Sequence, residues 1–187
     1  MRFQTKNGVL IAQANGETLR IEPWGKDSLR VRATMLPEFS GKDWALTEVP
    51  EKTEAKAEQF EVDHLEIDGS MGKRTSASIT NGKIRAVVNF AGVITFYKEE
   101  QEILREYHRC YDGTISKESR CLKTVNREWK GVIGGSEYSL NLKFESNDGE
   151  KIFGMGQYQQ KYMDLKGCTW SWRNGTPRSA YHSPYPA

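Results

Sequence analysis

Short segments of alternating apolar and polar residues, separated by glycine-containing turns, run through most of this chain. In residues 28–34 the alternation is strict after Ser28, with Leu29 followed by Arg30 and so on to Thr34. A period of two places one face of a strand on a core and the other in water. The dipeptides Asn15–Gly16 and Asn81–Gly82 readily take the positive φ angles of a tight hairpin turn. The pattern therefore predicts antiparallel sheets built from hairpins.

The pattern of short alternating segments separated by turns continues along the chain and predicts an all-β fold. Residues 37–58 interrupt the pattern with Pro37, Gly41, Pro50 and a charged run, and we expect a loop there with at most a short helix. No alternation of strands with long amphipathic helices is present, so an antiparallel β-sandwich of roughly 10 or more strands is expected. The predicted strands are residues 8–14, 18–24, 28–34, 76–80, 83–90, 93–97, 102–107, 122–129 and 138–144.

Charge and apolar content exclude several classes of partner. The 27 basic and 25 acidic residues are interspersed and leave a net charge of +2, which offers no field for nucleic acid or an acidic membrane surface. The N-terminus lacks the apolar region of a secretory signal, and no stretch reaches the roughly 20 apolar residues of a spanning helix. We expect a cytoplasmic protein that binds neither nucleic acid nor membrane.

Cysteine and histidine residues show no spacing typical of a metal site. Cys110, Cys121 and Cys168 are too few and too scattered for a disulfide framework, and free thiols in a reducing compartment are expected. The three histidines are equally scattered, and the i, i+2 pair His108 and Cys110 has no further ligand nearby. We therefore expect no metal and no cofactor.

Catalytic motifs are also lacking. No nucleophile elbow, phosphate-binding loop or zinc-protease motif occurs, and the numerous carboxylates are ordinary for a soluble surface. The segment 154–156 reads G-x-G, but the following residues do not complete a dinucleotide fingerprint, so a tight bend after the strand-like residues 151–153 is expected. Trp24, Trp44 and Trp129 are able to stack on sugar rings, although single aromatic residues on strands more often belong to a core.

The C-terminal third of the chain resembles a known family. Residues 144–159, F-E-S-N-D-G-E-K-I-F-G-M-G-Q-Y-Q, continue into M-D-L-K-G at 163–167. They are similar to the segment that ends the N-terminal domain in glycoside hydrolase family 31, in particular its α-xylosidase and α-glucosidase branches. The upstream segments 81–86 and 93–97 have the layout of the family's strands. The resemblance covers roughly residues 1–169, a predicted N-terminal β-sandwich domain.

The resemblance implies a galactose-mutarotase-like supersandwich that packs on a (β/α)8 barrel. The two catalytic Asp residues of the family's retaining mechanism lie on that barrel, so no residue here is assigned a catalytic role. We expect a non-catalytic support domain, truncated before the barrel and inactive alone, from a parent that cleaves an α-linked sugar. By position, the candidate substrate-binding residues are Gln157, Tyr158, Gln159 and Gln160. A purely structural hairpin at the domain junction is the alternative for these residues.

Residues 170–187 depart from the family pattern. A reading shifted by one base permits L-E-L-A-E-R-N-S-Q in place of the observed W-S-W-R-N-G-T-P-R, and the shifted sequence is typical of the family at this point. We hypothesise that this tail is a frameshift product that was never selected to pack. Without the barrel, the exposed docking face is expected to cause weak self-association.

Two other functions stay open at this stage. A free-standing carbohydrate-binding β-sandwich would present a preformed platform of exposed aromatic rings. A mutarotase-type enzyme would place a His and a Glu together in a concave sheet.

Overall fold

The computed structural model describes residues 1–41, 53–65, 69–108, 124–153, 163–166, 168–173 and 176–182. These residues form thirteen strands and no helix, which confirms the all-β prediction. The strands are β1 Arg2–Lys6, β2 Val9–Ala14, β3 Glu17–Pro23, β4 Leu29–Thr34, β5 Lys56–Leu65, β6 Met71–Asn81, β7 Ile84–Val88, β8 Ile94–Lys98, β9 Gln101–Arg105, β10 Arg127–Gly131, β11 Tyr138–Leu142, β12 Cys168–Arg173 and β13 Thr176–His182.

Two antiparallel meanders make up most of the fold. One sheet has the order β1-β2-β3-β4 and the other β5-β6-β7-β8-β9, so consecutive strands are always neighbours. Short antiparallel connections of this kind follow from tight turns between strands. The longest ladder joins β5 to β6, with every residue of the ten-residue strand β5 paired.

Apolar residues from the inner faces of both sheets form one core. Leu10, Leu19 and Ile21 of the first sheet and Ile79 and Ile94 of the second are almost completely buried. These residues belong to a single packed cluster with neighbours from both sheets, as expected of two sheets packed face to face. The antiparallel β-sandwich predicted from the sequence is therefore confirmed.

The predicted Asn–Gly dipeptides lie at hairpin turns, but at one of them the turn is shifted by one residue. Asn15 and Gly16 have φ angles of 52° and 83° and connect β2 to β3 as a two-residue turn. At the dipeptide Asn81–Gly82, Asn81 is instead the last paired residue of β6, and the turn consists of Gly82 (φ 58°) and Lys83. The side chain of Asn81 donates hydrogen bonds to the carbonyl oxygens of Gly25 and Ser28, at 2.7 and 2.6 Å.

A smaller hairpin extends the second sheet. Strands β10 and β11 pair with each other, and the residues after β11 pair with those after β9. The amide of Tyr107 donates to the carbonyl of Lys143 at 2.9 Å, and the amide of Glu145 donates to the carbonyl of Arg105 at 2.8 Å. These bonds place the base of the hairpin beside the C-terminal end of β9.

The chain divides into two compact units, Met1–Glu145 and Ser146–Ala187. This boundary lies upstream of the predicted division at residues 169 and 170, which was drawn from family resemblance and stays a prediction. In the second unit the amide of Leu165 donates to the carbonyl of Ile152 at 2.7 Å. Strands β12 and β13 pair as a hairpin through the predicted non-family tail.

Some local predictions were wrong. Strand β1 was not predicted, although Asn7–Gly8, with φ angles of 52° and 70°, carries the same turn signal as Asn15–Gly16. The predicted loop of residues 37–58 ends early, because β5 begins at Lys56; residues 42–52 lie outside the described part of the chain. Residues 151–153 form no strand, and β10 begins at Arg127 rather than within residues 122–126. Pairing with β2 and with β6, not local composition, accounts for β1 and β5.

Candidate functional site

The predicted substrate-binding loop lies outside the described residues. Gln157, Tyr158, Gln159 and Gln160 therefore remain candidates on sequence grounds alone. The described residues on either side of this loop are held together by one side chain. The carboxylate of Asp164 accepts hydrogen bonds from the backbone amides of Lys166 and Ile152, both at 3.0 Å.

These two hydrogen bonds have an electrostatic consequence. They stabilise the ionised form of the carboxylate, so that the amides of Lys166 and Ile152 hold the pKa of Asp164 below its ordinary value. Together with the backbone bond from Leu165 to Ile152, they close the base of the segment that contains the four candidate residues.

A buried charge network lies where β10 meets both large sheets. Arg127 donates from Nε to Oε1 of Glu17 at 2.7 Å and from Nη1 to both carboxylate oxygens of Glu106 at 2.6 Å. Glu17 begins β3 in the first sheet, and Glu106 follows β9 in the second. The side chains of Arg127 and Glu106 are only 6% and 2% exposed. One guanidinium thus connects three sheets through two carboxylates.

Neutral groups complete the hydrogen bonding of this network. The amide of Ile94 donates to Oε2 of Glu106 at 2.9 Å, and the side-chain amide of Asn126 donates to the same oxygen. The indole Nε1 of Trp129 donates to Oε1 of Glu17 at 3.0 Å. Buried ions are tolerated when their lone pairs and protons find partners in this way. The network satisfies both carboxylates.

The electrostatics favour a fully ionised arginine. Burial alone lowers the pKa of Arg127, but the hydrogen bonds and negative charges of Glu17 and Glu106 outweigh burial and raise that pKa above its ordinary value. A general acid of a glycosidase needs a carboxyl group that holds a proton near the sugar oxygen. Glu106 is buried against Arg127 and out of reach of a sugar in solution. The network therefore has the chemistry of a structural ion cluster.

Sequence reasoning did not single out this network. Glu17 lies 110 residues from Arg127, and Glu106 lies 21 residues from it. No local pattern marks residues that meet only through sheet packing. Arg127 and Trp129 lie on one face of β10 and alternate with Glu128 and Lys130, but that signal indicates a strand and no more.

An apolar stripe lies on the same face of the hairpin. Side chains two residues apart on a strand share a face, and Trp129 pairs with Leu140 across the ladder. Trp129 also contacts Tyr138 edge to face, with ring centroids 6.3 Å apart. We define the β11 stripe as Tyr138, Leu140, Leu142 and Phe144, which are 44%, 43%, 43% and 42% exposed. Four partly exposed apolar residues in a row are typical of a surface that another element covers.

The other residues named from the sequence do not form a site in the described part of the chain. Trp24 is stacked by Arg30, whose guanidinium carbon lies 4.5 Å from the ring centroid, and Trp44 lies outside the described residues. Cys110 and Cys121 also lie outside them. Within the described residues, no group of three or more His, Cys, Asp or Glu side chains is arranged to hold a metal ion. The same residues contain no helix long and apolar enough to cross a membrane.

The known proteins that are similar to this chain are described as family 31 glycosidases. No protein-family profile matches the chain. It is 39% identical over 162 residues to a Pseudescherichia vulneris protein described as an uncharacterized family 31 glucosidase, ORF2; the alignment covers 82% of this chain and 28% of that protein. The crystal structure of a GH31 alpha-xylosidase from a soil metagenome, complexed with xylose, matches with a TM-score of 0.75 and 36% identity over 91% of this chain and 24% of that one.

These matches relate the antiparallel β-sandwich to part of two longer glycosidases. The chain is similar to glycoside hydrolase family 31 proteins over most of its own length, in agreement with the resemblance of residues 144–167, and it spans about a quarter of the length of the relatives it matches.

Proposed function

We propose that this chain is the non-catalytic N-terminal β-sandwich of a family 31 α-glycosidase and that it supports a (β/α)8 barrel. The observation that carries the proposal is the fold match over 91% of this chain to only 24% of an alpha-xylosidase. A domain that accounts for a quarter of an enzyme, with its buried carboxylates held by Arg127, is suited to support rather than to chemistry. The α-linked sugar of the parent enzyme is an α-xyloside or an α-glucoside under this proposal.

The β11 stripe is the surface that would contact the rest of the enzyme. Its four apolar side chains lie on a hairpin that the buried network fixes to both large sheets. Burial of apolar surface stabilises a contact by about 25 cal/mol for each Å² removed from water. Charged residues are concentrated on the opposite face of the same hairpin, where Lys143 and Lys130 lie within 3.5 and 3.3 Å of Glu128.

The loop that contains Gln157 and Gln160 would reach the wall of the sugar site. Its base is closed by Asp164, and amide side chains hydrogen-bond sugar hydroxyl groups as donors and acceptors. In this arrangement the loop affects the affinity for the sugar more than the chemical step.

Hydrolysis assays test the proposed role directly. The chain alone is incubated with nitrophenyl α-xyloside and nitrophenyl α-glucoside, and no turnover is expected. In parallel, the corresponding segment of the metagenomic alpha-xylosidase is replaced with this chain's residues, and the chimaera is expected to be active. Turnover by the isolated chain would contradict a non-catalytic role.

A pair of matched variants tests the docking surface. In the chimaera, Leu140→Asp with Leu142→Asp places two charges in the β11 stripe, and Ser139→Asp with Asn141→Asp places two on the opposite face of the same strand. The first pair is expected to reduce activity at least about tenfold, which corresponds to about 1.4 kcal/mol, and the second to leave it unchanged. Equal effects of the two pairs would mean that the β11 stripe is not the contact.

A free-standing carbohydrate-binding module is the second candidate. Such a module presents exposed rings to the sugar, whereas the described Trp24 is covered by Arg30 and Trp129 donates to Glu17 within the network. Binding of xylose or glucose oligosaccharides by the isolated chain, measured by calorimetry, would favour this candidate.

A further inference from the structure

Three arginines surround one glutamate on the outer face of the first sheet. Arg20 and Glu22 lie on β3, and Arg30 and Arg32 lie on β4. In the ladder Arg20 is directly opposite Arg32, and Glu22 is directly opposite Arg30. Like charges directly opposite each other destabilise a sheet unless a counter-charge is present. The arrangement therefore concentrates positive charge on a strand pair that is also on the outside of the sandwich.

Glu22 serves as the shared counter-charge. Its Oε2 lies 2.8 Å from Nη2 of Arg20, and its Oε1 lies 2.9 Å from Nη2 of Arg32. The nearest nitrogen of Arg30 is 3.9 Å from Oε1. Each of the two opposed guanidiniums thus meets the carboxylate through a single nitrogen, although the planar fork of arginine is suited to two parallel bonds.

The hydrogen bonding of these two guanidiniums is incomplete. Among the described residues, Nε of Arg20 and Nε of Arg32 are buried and have no hydrogen-bond acceptor. A buried donor without a partner costs about 1–3 kcal/mol, so such donors are usually found where a ligand or water completes the bonding. The side chains as a whole are 35% and 25% exposed, which leaves their outer parts open to a ligand from solution.

Aromatic stacking holds the cluster in place. The guanidinium carbon of Arg32 lies 5.0 Å from the ring centroid of Phe39, and that of Arg30 lies 4.5 Å from the ring centroid of Trp24. Stacking restricts the guanidinium planes and excludes water from one side of each group. Both effects strengthen the attraction for an anion that approaches from the open side.

We infer that this outer face binds a small oxyanion, a carboxylate or a phosphate, between Arg20 and Arg32. The anion accepts hydrogen bonds from the guanidinium nitrogens that Glu22 does not use and separates the two opposed positive charges. This binding site is independent of the proposed support role, since it lies on the outer face of the first sheet and the β11 stripe lies on another hairpin.

Titration of the whole chain with anions tests the inference. Inorganic phosphate and glucuronate are added separately, with glucose as the neutral counterpart of glucuronate, and the Nε–H signals of the arginines are followed by ¹H–¹⁵N NMR. Saturable shifts of the Arg20 and Arg32 signals are expected with at least one anion and not with glucose. Phosphate binding alone identifies a phosphate site, and glucuronate binding alone identifies a carboxylate site.

Matched variants separate a site from general charge attraction. Arg32→Gln and Arg20→Gln are each expected to weaken binding about tenfold or more. The control Arg85→Gln removes an arginine that stacks on Tyr97 at 4.7 Å and lies 3.5 Å from Glu100 on the second sheet, and it is expected to leave binding unchanged. Equal weakening by all three variants, or no saturable shift in the wild type with either anion, would overturn the inference.

Discussion

At the scale of single residues, Arg127 connects the two large sheets to the β10–β11 hairpin. Its guanidinium bonds a carboxylate from each large sheet and also donates to the carbonyl oxygen of Gly92 at 2.9 Å. Replacing one partner of a buried ion pair leaves the other charge buried and uncompensated, which costs more than the pair contributes. Glu106 would be that charge.

Arg127→Met keeps much of the side-chain volume and removes the charge. We expect a loss of about 3–5 kcal/mol in the free energy of unfolding, measured by urea denaturation. Arg105→Met is the control, because its partner Glu102 is a surface residue and the loss should stay below about 1 kcal/mol. A second change, Glu106→Gln, should restore part of the stability of Arg127→Met. Losses of equal size in the two single variants would contradict the importance of the network.

The lowered pKa of Asp164 predicts that the local stability of its contacts with Ile152 and Lys166 decreases at acidic pH. Its pKa is lowered in the folded chain by the amides of Lys166 and Ile152, so its contribution is present above the pKa of the unfolded chain and lost as pH falls through the folded pKa. We expect amide hydrogen exchange at Ile152 and Lys166 to lose protection in that acidic range, after correction for the intrinsic exchange rate. Asp164→Asn should remove this pH dependence, and an unchanged profile in that variant would contradict the assignment.

At the scale of elements, hairpins are the units of this fold and side chains of their turns join the two sheets. Asn81 ends β6 and bonds two carbonyl oxygens of the turn between β3 and β4. The amide of Lys83 donates to Oδ1 of Asp27 at 2.7 Å and adds a third bond between the same turns. The alignment of the two sheets at this end thus depends on polar contacts as well as on the apolar core.

Asn81→Ala tests this connection between turns. The variant removes two hydrogen bonds at a site that is 2% exposed, while the carbonyl oxygens keep their second donors, the hydroxyl of Thr53 at Gly25 and the amide of Trp24 at Ser28. We expect a loss of about 2 kcal/mol or more in the free energy of unfolding, measured by thermal or urea denaturation. Gln13→Ala removes an exposed bond to Thr18 and should change stability by less than about 0.5 kcal/mol. A loss no larger than that of the control would show that the core alone aligns the sheets.

At the scale of the whole molecule, the exposed β11 stripe predicts weak self-association of the isolated chain. We expect the sedimentation coefficient to increase with protein concentration, because two molecules that associate bury their exposed apolar surfaces against each other. Leu140→Ser with Leu142→Ser should abolish the association, and Ser139→Ala with Asn141→Ala should not. A wild-type chain that stays monomeric at high concentration would contradict the prediction.

Local sequence patterns determined most of the hairpins. Residues 28–34 alternate strictly and form β4, and Asn15–Gly16 forms the turn between β2 and β3, because side-chain alternation and positive φ angles are properties of neighbouring residues. Strand β5 escaped prediction since its run K-A-E-Q-F-E-V-D-H-L is mostly polar and becomes a strand through its ten-residue ladder with β6. The pairing that creates it is not local.

Only the tertiary structure decided which residues that are distant in sequence come into contact. Glu17, Glu106 and Arg127 come together because two sheets and a hairpin pack around them, and the charge balance of each depends on the others. The family resemblance was readable in residues 144–167, because a sequence motif is made of residues that are close along the chain. The buried network and the arginine cluster arise from packing and pairing across the sheets, and a linear pattern carries no signal for contacts of that kind. The alternation of the β11 stripe is visible in the sequence, but only packing decides that the stripe stays exposed.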